Sequence, residues 1–250
     1  VTVKLTVVGR TDVGKVRTNN EDAFVVADLA RSAKLDTSEG EKSVDVPTEG
    51  MLLAVSDGMG GEQAGEVASA LVIESLRREL AANKEMVSGE TITKMLDTAV
   101  FGANKEVFDA AKEPGKKGMG ATLTAVFVMG ETAFIAEVGD SRAYLIRNHR
   151  IRQMTRDQSF VQLLVDAGAI SPDEAKDYPH KNVILQAMGQ KADVKPAIGK
   201  LALRRFDRLL LCSDGLSNKV QDTEMREIID ATSVLDDACK RLIALANERG

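Results

Sequence analysis

The chain has 250 residues, 44% hydrophobic and 28% charged, an ordinary globular balance that buries a core without help from disulfides or a structural metal. Its formal net charge of -5 excludes a broad nucleic-acid surface, which needs clustered Lys and Arg, and suits a protein that gathers carboxylates around cations. No apolar stretch reaches the roughly 20 residues that span a bilayer and no signal pattern is visible, so a cytoplasmic protein, or a cytosolic domain of a larger one, is expected.

The first apolar run, Val3–Val8, reads as a strand. Gly9-Arg10-Thr11-Asp12-Val13-Gly14-Lys15-Val16 then approaches a nucleotide-phosphate loop. That loop needs Ser or Thr after its Lys and a helix behind it. Here Val16 follows, and Arg17-Thr18-Asn19-Asn20-Glu21-Asp22 leads into a second strand, Ala23–Ala27, so the match is a decoy. The polar segment Arg31–Glu49 reads as an exposed excursion of a hairpin, ending at the strand Met51–Val55.

Helical spacing follows. Ala64, Val67, Ala68, Leu71, Val72 and Leu76 share one face; Ile92, Leu96, Ala99, Val100, Ala103 and Val107 share another. Leu123–Val128, Ala133–Val138 and Arg142–Ile146 form a meander, so pairing is expected to be mostly antiparallel. Residues 155–189, with Pro172 and Pro179, are less regular and read as a surface flap. A strand at Arg208–Cys212, a short helix at Thr223–Ile229 and a helix carrying Leu235, Ala238, Cys239, Leu242 and Ala246 close the chain. Both cysteines, Cys212 and Cys239, fall at apolar positions and read as core thiols of a reducing compartment.

Four acidic segments sit where strands end: Asn20-Glu21-Asp22, Ser56-Asp57-Gly58-Met59-Gly60-Gly61, Gly139-Asp140-Ser141-Arg142 and Ser213-Asp214-Gly215-Leu216. A single Asp-Gly is most often a turn signal. Several carboxylates at strand ends can also form an oxygen-donor site for hard cations, and without a cation they would repel one another and hold protons more tightly.

The residues around these segments resemble the metal-dependent protein phosphatase family, often called type 2C, in its bacterial branch. The matching stretches are 11–22, Asp57-Gly58-Met59-Gly60-Gly61 continuing through Gly65-Glu66-Val67-Ala68-Ser69, Gly118-Met119-Gly120-Ala121-Thr122, 138–144 and 211–216. They occur in order, from about residue 9 to the end. The resemblance implies an α+β fold, a four-layer α-β-β-α sandwich with two central mostly antiparallel sheets, forming a single catalytic domain over residues 1–250.

It further implies hydrolysis of phosphoserine and phosphothreonine in proteins by a hydroxide bridging two Mn2+ or Mg2+ ions, with a third, weaker ion in bacterial members. Asp57 would bridge two metals, the Gly58 carbonyl would complete one shell, Asp214 would hold the other, Glu21 and Asp22 would lie near the second metal and Asp140 would hold the third. Arg17 would grip the phosphate, because its planar fork binds phosphate bidentately. Implied partners are phosphoproteins made by serine/threonine kinases, and those kinases themselves. No nucleic acid and no membrane segment is expected, and a monomer is expected.

Three departures stand out. Met59 occupies a position where some members carry His, so no general acid is assigned, and His149 and His180 read as surface residues. Gln158 and Tyr178 replace family histidines in the flap, which implies altered contacts and not lost chemistry. The sequence stops at Gly250, where the family's Gly-x-x-Asp-Asn motif and terminal strand would begin, and the expectation is that this segment lies beyond it. The rival readings are a pseudophosphatase or phosphoprotein-binding module of the same fold, and a hydrolase of small phosphoesters.

Overall fold

The computed structural model describes residues 2–60, 64–82 and 89–250. In chain order the elements are β1 (Lys4–Val7), β2 (Asp22–Asp28), β3 (Ala33–Lys34), β4 (Lys42–Asp45), β5 (Met51–Met59), α1 (Ala64–Ala82) and α2 (Gly89–Ala110). Next come β6 (Gly120–Ala121), β7 (Leu123–Met129), β8 (Thr132–Val138), β9 (Arg142–Arg147), β10 (Arg150–Gln153), α3 (Phe160–Asp166) and α4 (Pro172–Lys176). The chain closes with β11 (Ala197–Ala202), β12 (Arg208–Cys212), α5 (Asp214–Ser217), α6 (Asp222–Ala231) and α7 (Leu235–Glu248).

The larger sheet has the order β11-β8-β7-β5-β2-β3, with antiparallel pairing throughout, and β6 pairs the end of β5. Its centre is apolar on both faces, as Leu123-Thr124-Ala125-Val126-Phe127-Val128 in β7 shows, because both faces are covered. On one face Leu123, Ala125 and Phe127 meet Val72, Leu76 and Leu80 of α1 and Leu96, Val100 and Val107 of α2. On the other, Val26, Met51, Val126 and Ile135 meet Val7, Ala143, Leu209 and Leu211. A second layer of strands supplies those residues. Its far face, with Tyr144, Ile146 and Cys212, is covered by Met225 and Ile229 of α6 and Leu242 of α7. The four layers are therefore helix, sheet, sheet, helix, as the resemblance implies.

The second strand layer is in two pieces: β1 paired with β4, and the order β10-β9-β12. One edge of β1 and one edge of β12 have no strand partner among the described residues. Between them lies a cavity of about 1130 Å³, lined in part by Val7, Phe24, Leu210, Leu242 and Ala246, that reaches the acidic residues.

Several expectations change. Arg31–Glu49 is more than an excursion, because Lys42–Asp45 supplies the strand that pairs β1. β5 does not stop before Asp57-Gly58. It runs to Met59, and Gly58 pairs Ala121 where a turn was read. A Cβ on Gly58 would stand 1.9 Å from the Gly65 carbonyl oxygen, so the residue serves close packing of β5 against α1. β10 and β11 also form where no strand was foreseen. The rejection of the nucleotide loop holds, since no helix follows Lys15. Gly61 of the second motif lies outside the described residues.

Candidate functional site

Strand direction collects the acidic residues at one end of the sandwich. Asp22 opens β2 and stands opposite Asp57 in the β2–β5 register. Asp140 follows the end of β8, and Asp214 opens α5 directly after β12. The Gly58 N–H donates to the Glu21 carbonyl at 3.0 Å, which joins these two positions. Arg17 stands at the rim with its side chain 77% exposed and one long contact, 3.7 Å, to the Glu21 carboxylate. All of these residues border the cavity described above.

Hydroxyls set their positions. Ser213 Oγ donates to Asp22 Oδ2 at 2.6 Å, across 191 residues of sequence. The Asp57 N–H donates to Thr122 Oγ1 at 2.9 Å, and Thr122 Oγ1 shares a 2.6 Å bond with Ser141 Oγ. Ser56 Oγ donates to the Thr122 carbonyl at 2.6 Å. Beside Asp140, the Gly139 N–H donates to Gln158 Oε1 at 2.9 Å and the Gln158 N–H donates to the Gly139 carbonyl at 2.8 Å. Gln158 thus ties the flap to the Asp140 turn, a direct contact at one of the departures from the family pattern. Asn218 Nδ2 donates to Asp214 Oδ2 at 3.0 Å.

The carboxylates act on one another. Burial, reinforced by Asp22, Asp214 and Asp140, pushes the Asp57 carboxyl up to about 9. Burial, with Asp214 and Asp157 adding to it, pushes Asp140 up to about 7. Burial raises Asp22 as well, against the Ser213 hydroxyl, with Asp214 and Glu21 adding to the rise. Such a set is short of positive charge, and its donors are all oxygens, the chemistry that Mn2+ and Mg2+ prefer. Among the described residues no three His, Cys, Asp or Glu side chains converge as a closed cage for one ion. The donor set still fits ions held by one or two carboxylates each, with a backbone carbonyl and waters completing the shell.

The sequence-derived residues Glu21, Asp22, Asp57, Gly58, Asp140 and Asp214 therefore lie together, with Arg17 beside them. Both histidines lie elsewhere: His149 contacts Asp230 at 3.1 Å, and His180 is exposed in the flap. Cys212 is buried and Cys239 half-buried, and burial pushes both thiols up, as core cysteines behave. Sequence reasoning gave no role to Ser56, Thr122, Ser141 and Ser213. The one available signal was the repeated Ser-Asp-Gly, whose serines make different contacts: Ser56 braces the backbone and Ser213 a carboxylate.

Comparison with known proteins finds phosphatases similar to the chain over its length. The family model described as Protein phosphatase 2C matches residues 41–246. The serine/threonine protein phosphatase PstP of Mycobacterium tuberculosis is 39% identical over 100% of this chain, which spans only 43% of that relative's length. The structure of the S. agalactiae serine/threonine phosphatase superposes with a TM-score of 0.86 at 30% identity, covering 99% of this chain and 95% of that one. The catalytic domain of PstP in complex with two manganese ions superposes with a TM-score of 0.76 at 34% identity, covering 100% of this chain and 93% of that one.

Proposed function

The chain belongs to the protein phosphatase 2C family, and we propose that it hydrolyses phosphoserine and phosphothreonine in proteins. The observation that carries the reading is the group of like charges around Asp57, with an exposed guanidinium at its rim. We read Asp57, the Gly58 carbonyl, Asp214, Asp22 and Glu21 as the groups that hold two Mn2+ or Mg2+ ions, and Asp140 as the holder of a third. When bound, such ions would make a shared water acidic enough to act as hydroxide near neutral pH.

The chain's own residues supply the rest. Arg17 offers two parallel N–H donors to phosphoryl oxygens and gives up only its long contact to Glu21. The serine and threonine hydroxyls at 56, 122, 141 and 213 hold the carboxylates in place before substrate arrives. The leaving serine or threonine oxygen has no histidine at hand among the acidic residues, so its proton comes from water. Residues 1–250 act in this reading as one catalytic domain, with residues 155–189 as a flap tied to Asp140 through Gln158. The cavity between β1 and β12 opens onto the acidic residues. Phosphoproteins made by serine/threonine kinases, and those kinases, are the substrates it calls for, met in the cytosol by a monomer.

The absence of a closed three-ligand cage among the described residues favours one alternative, a phosphoprotein-binding module of this fold. Phosphate release from a phosphothreonine peptide, with Mn2+ and with a chelator, separates the two. Turnover that appears with Mn2+ and stops with chelator supports the hydrolase. Peptide binding with no turnover under either condition would assign the module instead. Faster release from a small aryl phosphate than from the peptide would favour a small-ester hydrolase.

A further inference from the structure

At the end of the sandwich opposite the acidic residues, the link from β11 to β12 turns through Arg204-Arg205-Phe206-Asp207. Phe206 is 83% exposed, the most exposed large apolar side chain among the described residues. It also sits at φ +70, a left-handed conformation that bulky residues resist and that Gly or Asn takes easily. Neither feature serves the core.

The turn is nevertheless firmly built. The Asp207 N–H donates to the Arg204 carbonyl at 3.1 Å, and the Arg204 N–H donates to Asp207 Oδ2 at 2.8 Å. Arg147 clamps the Asp207 carboxylate with both sides of its fork, at 2.7 and 2.6 Å, and also donates to the Ala202 carbonyl at 2.9 Å. A strained, exposed aromatic held by so many bonds points to a use for it.

Its surroundings say which. The register Arg208↔Ile146 sets this turn beside the β9–β10 hairpin and Arg150. Arg150, Arg204 and Arg205 are exposed and form no ion pair among the described residues, and the Arg205 guanidinium lies 4.8 Å from the Phe206 ring centre. Beside the turn stand Asp207, bound to Arg147, Asp230, bound to His149, and the exposed Glu131, while Asp28, Asp45 and Glu49 lie at the same end along the other strands. An apolar apex ringed by arginines complements a surface of negative headgroups over an apolar interior: the ring enters and the guanidinium groups remain among the headgroups. A peptide partner would need a groove, and Phe206 stands at a turn apex. Contact made here leaves the acidic end facing away from the surface, open to substrate.

We propose that the Arg204–Asp207 turn docks the chain peripherally on a membrane carrying anionic phospholipids. The test is co-sedimentation of the 250-residue chain with vesicles of phosphatidylcholine alone or mixed with phosphatidylglycerol. Partitioning should be much stronger on the mixed vesicles and weaken with salt. It should fall about fivefold for each arginine removed in Arg204→Ala and Arg205→Ala and about tenfold in Phe206→Asn. Asn accepts the positive φ, so Phe206→Asn should unfold no more easily than the parent, and phosphate release from a soluble phosphopeptide should not change. Equal partitioning on both vesicle types, or partitioning indifferent to all three substitutions, overturns the proposal. Binding to a polyglutamate peptide without binding to vesicles also overturns it, and gives the turn a protein partner.

Discussion

Two groups of partly buried charge lie a few residues apart and are arranged in opposite ways. Arg142 and Asp157 form a fork-to-fork pair, with contacts of 2.9, 3.1 and 2.6 Å, and the Tyr144 hydroxyl and Gln153 amide complete it. Asp22, Asp57, Asp140 and Asp214 are all carboxyl groups; Arg17 at the rim contacts Glu21 instead, and Arg142, which also acts on Asp140, is already bound to Asp157. The first group closes its electrostatics within the chain and holds β9 to the base of the flap. The second leaves a demand for positive charge that only an outside cation meets. A buried pair therefore reads as structure, and a buried set of like charges reads as a binding site.

The comparison can be broken by substitution. The largest stability loss should come from Arg142→Ala, which strands the Asp157 carboxylate. Arg142 keeps 25% side-chain exposure and Asp157 12%, so the loss should be about 2–3 kcal/mol, below the roughly 3–5 of a fully buried pair, as read by urea unfolding. Arg17→Ala should leave the unfolding midpoint unchanged, because Arg17 is exposed, and should lower kcat/KM on a phosphopeptide by about 10²-fold. A stability loss without a kinetic one would move Arg17 into the structural class.

A smaller effect concerns Glu137, a buried carboxyl that accepts from the Arg156 N–H and feels Asp157 and Asp140 nearby. Burial pushes it up to about 8, above its unfolded value of about 4.3. The native state therefore binds this proton more tightly than the unfolded chain. The group's contribution to stability is complete below the unfolded value and is lost as pH rises toward 8. Glu137→Gln keeps an acceptor for Arg156 and removes the titration, so unfolding midpoints at about pH 5 and about pH 8 should draw closer together. An unchanged gap would mean that other groups set this slope.

Much of this was readable in the sequence because the signals were local. Apolar runs marked the central strands, and helical spacing marked α1, α2 and α7. The acidic residues were readable because each follows or opens such a run. Of the strands that escaped, Ala33–Lys34 and Gly120–Ala121 are two residues long, and Lys42–Asp45, Arg150–Gln153 and Ala197–Ala202 are polar or glycine-containing and lie at sheet margins, where pairing with a neighbour and not burial defines them. Asp57-Gly58 misled as a turn because its strand is prolonged by β6, more than 60 residues away. The Ser213–Asp22 bond spans 191 residues, and no local pattern announces it. Phe206 carried no motif at all, and only its backbone angle and exposure single it out.

The central claim is that the Asp57 cluster is built for cations and not for stability. Urea unfolding and phosphopeptide turnover of Asp57→Asn, each with Mn2+ and with chelator, test it most directly. Without metal the variant should be at least as stable as the parent, since Asn has no charge to desolvate and no proton to take up on folding, whereas the Asp57 carboxyl, pushed up to about 9, must hold one. With Mn2+ the parent should gain stability and turn over substrate, while the variant gains little and releases no phosphate. A variant that is destabilised as Arg142→Ala is, yet still hydrolyses the phosphopeptide with Mn2+, would contradict the account.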